Sequence, residues 1–231
     1  MKHQSITNVN KNHSYLKDTL IRAPGRVGAH VRGMLASQCE IGEDERMAFE
    51  LQPRMENPSI RLVPLVPDDF DALFAVASDA LIWEQHPNKD RYKREVFAAY
   101  FQGAVDSGGA FCVFDNETGI LIGSSRYYDL DETQSSVAIG YTFIARSHWG
   151  GDSNRALKTL MLEHAFQFVD RVIFHVGDGN LRSRKAMEKI GGVLIGEVAM
   201  SYQGEQPHRN VVYKIERAGW SNESEARRQP A

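Results

Sequence analysis

The stretch from Ser136 to Gly192 constrains the fold most, because it reads as strand, glycine turn, amphipathic helix, second strand and second helix in unbroken succession. Val137, Ile139, Tyr141 and Phe143 alternate along the first strand. The turn is His148-Trp149-Gly150-Gly151-Asp152-Ser153-Asn154. In the helix after it, Leu157, Leu160, Met161, His164, Ala165 and Phe168 share one stripe, with Arg155, Lys158, Glu163 and Gln167 largely off it. Asp170-Arg171 punctuates. Val172 to Val176 is then a short, nearly continuous apolar run, the pattern of a strand buried on both faces. Arg182 to Ile190 forms the second helix, closed by Gly191-Gly192. A glycine turn between a strand and a helix offers backbone N–H groups to a phosphate, so the segment points to a nucleotide-like ligand.

The flanking sequence extends this into one α/β domain over residues 55–220. Ile60 to Leu65 alternates as a first strand, and Pro67-Asp68-Asp69 starts a helix carrying Phe70, Leu73, Phe74 and Ala77. A second helix runs through Val96, Phe97, Tyr100, Phe101 and Ala104 to Gly108-Gly109. Ala110 to Phe114 and Ile120 to Tyr127 form a hairpin across Asp115-Asn116-Glu117-Thr118-Gly119. Leu194 to Tyr202 and Asn210 to Ile215 form a final hairpin around Gly204-Glu205. The sum is a mixed sheet with helices on both faces.

Residues 1–54 differ from the rest. Met1 to Gly33 is rich in Asn, His, Ser and Gly, has scattered Lys and Arg against one acid, Asp18, and lacks apolar periodicity. This reads as a mobile leader, or as codons upstream of a natural start near Met47 or Met55. The competing reading is a basic nucleic-acid arm or targeting peptide, and the scatter of the charges speaks against it. Residues 221–231 read as a polar tail. A net charge of -3 provides no basic field for nucleic acid. No apolar run is long enough for a bilayer. Cys39 and Cys112 form no disulfide framework, and the histidines show no metal-ligand spacing. The expectation is a cytoplasmic protein with no metal and with neither nucleic acid nor membrane as partner.

Three motifs in order carry a resemblance: Ile139-Gly140-Tyr141-Thr142-Phe143, Trp149-Gly150-Gly151 with Asn154 and Lys158, and Asn180-Leu181-Arg182-Ser183 followed by Ala186 and Glu188-Lys189-Ile190-Gly191. With them, residues 59–217 resemble the GNAT superfamily of acyl-CoA-dependent N-acyltransferases. The chain looks most like the branch of RimJ- and RimL-like ribosomal-protein N-terminal acetyltransferases. The resemblance implies a mostly antiparallel GNAT-like sheet and acetyl-CoA as acyl-donor cosubstrate. It also implies direct attack by a small-molecule or peptide amine in a ternary complex, and a homodimer as the superfamily's common assembly. The turn departs from the family in its adjacent glycines and in Asp152, which would repel a pyrophosphate unless it faces solvent or caps the helix; capping is expected. Ala138 stands where many relatives place a glutamate base, and Met187 where many place a tyrosine acid. A non-catalytic acyl-CoA-binding or regulatory module is therefore the alternative.

By resemblance, Phe143, Ile144 and Ala145 present main-chain groups to the pantetheine arm, as an added strand would bind. His148, Trp149, Gly150, Gly151, Asn154 and Lys158 surround the phosphates, although Lys158 also reads as a solvated helix lysine. Asn180 bonds the pantetheine, and Ser183 gives a proton to the departing thiolate; helix capping is the plainer account of both. On the acceptor side stand Trp83, Ser125, Arg126 and Tyr127, with Glu84 or His86 to take the ammonium proton.

Overall fold

Alternation and turn chemistry in the first half of the domain build an antiparallel meander. The computed structural model describes residues 48–201 and 206–220. The chain runs through β1 (Met55–Glu56), β2 (Ile60–Pro64), α1 (Phe70–Ala77), α2 (Arg94–Asp106), β3 (Ala110–Asp115), β4 (Leu121–Asp131) and β5 (Ser136–Ile144). It continues as α3 (Ser153–Ala165), β6 (Arg171–Gly177), α4 (Leu181–Lys189), β7 (Val193–Met200) and β8 (His208–Glu216). The strands form a single sheet in the order β1-β2-β3-β4-β5-β6-β8-β7. Every ladder is antiparallel except β5 with β6, because α3 carries the chain back to start β6 beside the beginning of β5. This is the mixed, mostly antiparallel α/β sheet that the sequence implies. At the β3–β4 turn the Asp115 carboxylate accepts from the Thr118 amide at 2.7 Å, and Gly119 takes a φ of 71°.

Two apolar clusters cover the sheet. One gathers Leu157, Met161, Leu162 and Ala165 of α3 over Val137, Ile139, Val172, Phe174, Val211, Tyr213 and Ile215. The other, on Leu73, Ala77, Phe97, Phe101 and Ala104 of α1 and α2, covers Cys112 and Phe143. In β6 only Val172, Phe174 and Val176 of the apolar run are buried; Ile173 and His175 are half-exposed. The expectation of burial on both faces fails there, since the second cluster does not reach β6.

Part of the span assigned to a leader belongs to the packed domain. Phe49 sets its ring 5.2 Å from Tyr127 and 5.2 Å from Phe168, and Gln52 donates to the Ala110 carbonyl. The remainder of the expected leader, the tail at 221–231 and the Gly204-Glu205 turn lie outside the described residues.

The functional opening arises at β5. Its ladder with β6 joins only Ser136, Val137 and Ala138 to Arg171, Val172 and Ile173. On its other edge Gly140 pairs with Arg126 and Phe143 with Ser124, so Tyr141 and Thr142 together oppose Ser125. This is a bulge, and Tyr141 sits in the left-handed region with φ 52°. Tyr141 is held from several sides: the Arg126 guanidinium lies 3.7 Å from its ring centroid, Tyr128 stands edge-on to the ring, and the Tyr100 hydroxyl donates to the Tyr141 main-chain carbonyl at 2.5 Å. Past the ladder, β5 and β6 diverge around a cavity.

Candidate active site

A cleft of about 550 Å³ lies between the end of β5, the glycine turn and α4. Thr142, Phe143 and Ile144 form one wall; Asn180, Ser183, Ala186 and Ile190 form the other. Gly150 adopts a φ of 76°, which favours glycine. At Gly151 an added Cβ would meet only the His148 carbonyl, 4.0 Å away, so the backbone stands open to a ligand. Asp152 occupies the N-cap position of α3 without a side-chain cap, contrary to the capping expectation. Its carboxylate instead accepts from Arg155 at 2.8 Å and faces solvent. The Trp149 indole donates to the Ile144 carbonyl at 2.9 Å, and the Arg182 guanidinium lies 3.7 Å from its ring centroid.

The cleft carries an excess of cations: Arg155, Arg182, Lys185 and Lys189 line it against a single acid, Asp152. Phe143, Ile144, Trp83 and Ile190 supply apolar surface deeper in. An extended ligand with an apolar arm and a polyanionic end fits this distribution, and coenzyme A has that form.

A second cavity of about 110 Å³ fills the gap between β5 and β6. Ile139 to Thr142 and Phe174 to Gly177 form its sides; His86, Arg91, Tyr128, Lys158 and Met187 also reach it. His86, Thr142, Asn154, Asn180, Ser183 and Ala186 line both cavities, which therefore meet. Burial holds the His86 imidazole well below its usual range, and Arg91, Arg182 and His208 push the same way. The Tyr128 hydroxyl and His175 Nδ1 are 2.8 Å apart, and burial lowers His175 as well. Lys158 Nζ donates to Thr142 Oγ1 at 2.6 Å and to Ser125 Oγ at 3.4 Å. Burial alone lowers that amine to about 7.

The residues singled out in the sequence are distributed unevenly. Phe143, Ile144, His148, Trp149, Gly150, Gly151, Asn154, Asn180, Ser183, Trp83 and His86 all line the larger cleft. Ala145 does not; it closes β5 by donating to the Ile122 carbonyl. Lys158 is neither solvated nor at the glycine turn, but enclosed beneath the bulge. Glu84 is exposed, pairs with Arg182 at 3.4 Å and lines neither cavity. Ser125, Arg126 and Tyr127 do not share one cleft, because successive strand residues point to opposite faces. Tyr127 is core, donating to the Met161 carbonyl at 2.5 Å; Ser125 sits under the bulge; Arg126 buttresses Tyr141. Asn180 does cap α4, accepting from the Ser183 amide at 3.1 Å. Tyr128, His175 and Arg182 line the cavities without having been marked as site residues, and only Arg182 lay within a quoted motif.

Burial, with Asp69 nearby, pushes the Cys112 thiol up and leaves it unsuited as a nucleophile; Cys39 lies outside the described residues. Among the described residues no group of three or more His, Cys, Asp or Glu is placed to hold a metal. Nor is any described helix long and apolar enough to cross a membrane.

This fold, with a split between two parallel strands leading into a cationic cleft, defines an acyltransferase of the GNAT type. Residues 59–193, more than half of the chain, match the family described as the acetyltransferase (GNAT) domain, and the chain belongs to that family. Solved structures agree in fold. A GCN5-related N-acetyltransferase from Brucella melitensis is 20% identical with a TM-score of 0.66, over 76% of this chain and 83% of that one. A probable GNAT-family acetyltransferase from Chromobacterium violaceum is 18% identical with a TM-score of 0.65, over 85% and 100%. RimJ of Mycobacterium smegmatis, solved in complex with CoA-disulfide, is 18% identical with a TM-score of 0.57, over 76% and 94%. No curated protein sequence matches the chain.

Proposed function

We propose that this acyltransferase moves an acetyl group from acetyl-CoA to the primary amine of a small molecule or peptide, by direct attack in a ternary complex. The observation that carries the reading is the junction of the two cavities: a cationic cleft sized for the donor opens, at Thr142 and Ser183, into a small chamber between β5 and β6. The RimJ neighbour, with its bound CoA-disulfide, supports the same donor.

In this reading the amides of Gly150 and Gly151 and the start of α3 hold the pyrophosphate, aided by Asn154. Beyond Ala138 the free edge of β5 offers main-chain groups of Phe143 and Ile144 to the pantetheine amides. The donor supplies an activated carbonyl. A main-chain N–H at the bulge stabilises the oxyanion as the amine attacks. Ser183 gives a proton to the departing thiolate. The amine enters past Tyr128 and past His86 and His175, whose imidazoles burial holds toward the neutral form. Positioning supplies much of the rate. Ala138 and Met187, apolar where many relatives carry a base and an acid respectively, favour the second reading, a module that binds acyl-CoA without transfer.

Calorimetric titration of acetyl-CoA and CoA into the full chain tests the donor site, with Gly151→Val beside it. The open space at Gly151 lets the variant fold with an unchanged melting temperature. Micromolar binding that the variant weakens by about tenfold or more supports the turn as the phosphate site. Absence of binding to the unaltered chain would overturn both readings. Binding without thiol release on any amine would leave the second.

A further inference from the structure

Lys158 stands apart from the other described lysines: it is the one that is buried, 3% exposed, and it lies at the reaction chamber and not at the phosphates. It projects from the second turn of α3, one turn after Asn154, and passes beside Phe174 to end under the β5 bulge. There its amine meets the Thr142 hydroxyl, which lines both cavities at their junction. The ionisable groups sharing the chamber are His86 and Arg91 from the segment before α2, Tyr128 of β4, Tyr141 of β5 and His175 of β6. No described Asp or Glu lines it, so no carboxylate within the chamber holds Lys158 charged or offers an alternative proton acceptor.

Resting on the acetyl-transfer reading above, we propose that Lys158, acting through the Thr142 hydroxyl, takes the proton that the acceptor ammonium must lose before attack. The ammonium proton passes to Thr142 Oγ1 as that hydroxyl's own proton passes to the Lys158 Nζ lone pair. The freed amine forms the C–N bond at the thioester carbonyl. Collapse breaks the C–S bond, the thiolate takes the Ser183 hydroxyl proton as that hydroxyl regains the second proton lost by nitrogen, and the Lys158 ammonium releases its proton to water after the product leaves. A desolvated amine without a counter-ion is half neutral near pH 7, where such an acceptor works best. His86 is the weaker base, because its burial, and after it Arg91, Arg182 and His208, oppose its protonation.

The test measures thiol release from acetyl-CoA against Ala-, Ser- and Met-leading hexapeptides, spermidine and glucosamine, and then follows the best acceptor as a function of pH. In the unaltered enzyme kcat/KM should rise along an acid limb with an apparent pKa near 7. Lys158→Met and Lys158→Arg should lower it about 100-fold or more at pH 7 while acetyl-CoA affinity stays within about threefold. The Lys158→Met rate should then climb with the free-amine fraction of the acceptor. Thr142→Val should lose rate and Thr142→Ser should keep it. Lys158→Met with the original rate and limb would overturn the proposal. So would a parallel loss of acetyl-CoA binding, the mark of a merely structural or phosphate-binding role. A readout that needs no variant is the 13Cε resonance of Lys158 in the unaltered protein: titration between pH 6 and 8 is expected, and an amine still charged above pH 9 would sink the idea. An unaltered enzyme that binds acetyl-CoA yet acetylates none of these amines overturns the transfer reading itself and this proposal with it, whereas an active enzyme indifferent to Lys158→Met overturns this proposal alone.

Discussion

Burying the Lys158 amine costs folding free energy whenever that amine is charged. Its folded pKa, about 7, lies below the ordinary lysine value of 10.5, so the unfolded chain binds more protons across that interval. Stability therefore rises with pH from about 7 upward, and the cost is largest below 7. From pH 6.5 to 9.5 this one group should raise stability by up to about 3 kcal/mol. Urea unfolding of the unaltered protein and of Lys158→Met at both pH values isolates the contribution, because all other titrations cancel in the difference. Lys158→Met should be the more stable at pH 6.5, with a gap that narrows by pH 9.5; equal pH slopes would show an ordinary, solvated lysine. The position was legible in the sequence only in part. Lys158 flanks the stripe of Leu157 and Met161 and continues the i, i+4 step from Asn154, but a charged residue at the edge of a stripe reads as solvated. What draws it inward is the bulge at Tyr141 and Thr142, a tertiary feature that places two hydroxyls where the amine ends. Gly140 belongs to the same arrangement. An added Cβ there would come within 2.9 Å of the Tyr128 ring, whose hydroxyl is tied to His175. Gly140→Ala should destabilise by about 1–3 kcal/mol in thermal or urea unfolding. At Gly151, by contrast, the space is open.

At the scale of elements, α4 shows how capping and binding coincide. Asn180 Oδ1 accepts from the Ser183 amide, which satisfies one of the unpaired donors of the helix, while the same residue lines both cavities. Two substitutions separate the roles. Asn180→Ala should lower stability by about 1 kcal/mol through the lost cap. Asn180→Asp keeps the cap and adds charge that complements the helix dipole, so unfolding should be unchanged or slightly harder. If the amide also contacts the donor, Asn180→Asp should still weaken acetyl-CoA binding measured by calorimetry. Unchanged affinity in Asn180→Asp would leave capping as its whole role. Elements of this kind were the most readable part of the chain. The stripe of α3, the Asp115–Gly119 turn and the closing glycines of α4 are local signals; α4 falls within a residue of its expected bounds, whereas α3 ends at Ala165, before the Phe168 of its stripe, and β4 runs past Tyr127 to Asp131. The β6 face was misread because a run of four apolar residues and one histidine does not reveal whether a second layer covers it. The second apolar cluster lies under α1 and α2 and ends at β5.

Across the whole molecule, the same asymmetry bears on how the enzyme responds to its donor. The strands up to β5 are covered on both faces, by α3 on one side and by α1 and α2 on the other. The β6–β8–β7 half joins them through the first apolar cluster and a parallel ladder of three residue pairs, and it ends in the exposed Val193, Leu194 and Ile195. The larger cleft spans this division, with Phe143, Ile144 and the glycine turn on one bank and Asn180, Ser183 and Ala186 on the other. A ligand seated there adds contacts between halves that few backbone hydrogen bonds connect. Acetyl-CoA at a hundredfold excess over its dissociation constant should add about 2.7 kcal/mol of stability. For a domain of this size that corresponds to a rise of about 5–10 °C in melting temperature. Amide hydrogen exchange should locate the gain in β6, β8 and α4, whose openings in the free protein need only separate one half-sheet from the other. Protection confined to the glycine turn, with exchange in β6 and β8 unchanged, would mean that the donor binds one bank alone and that the split sheet is rigid without it.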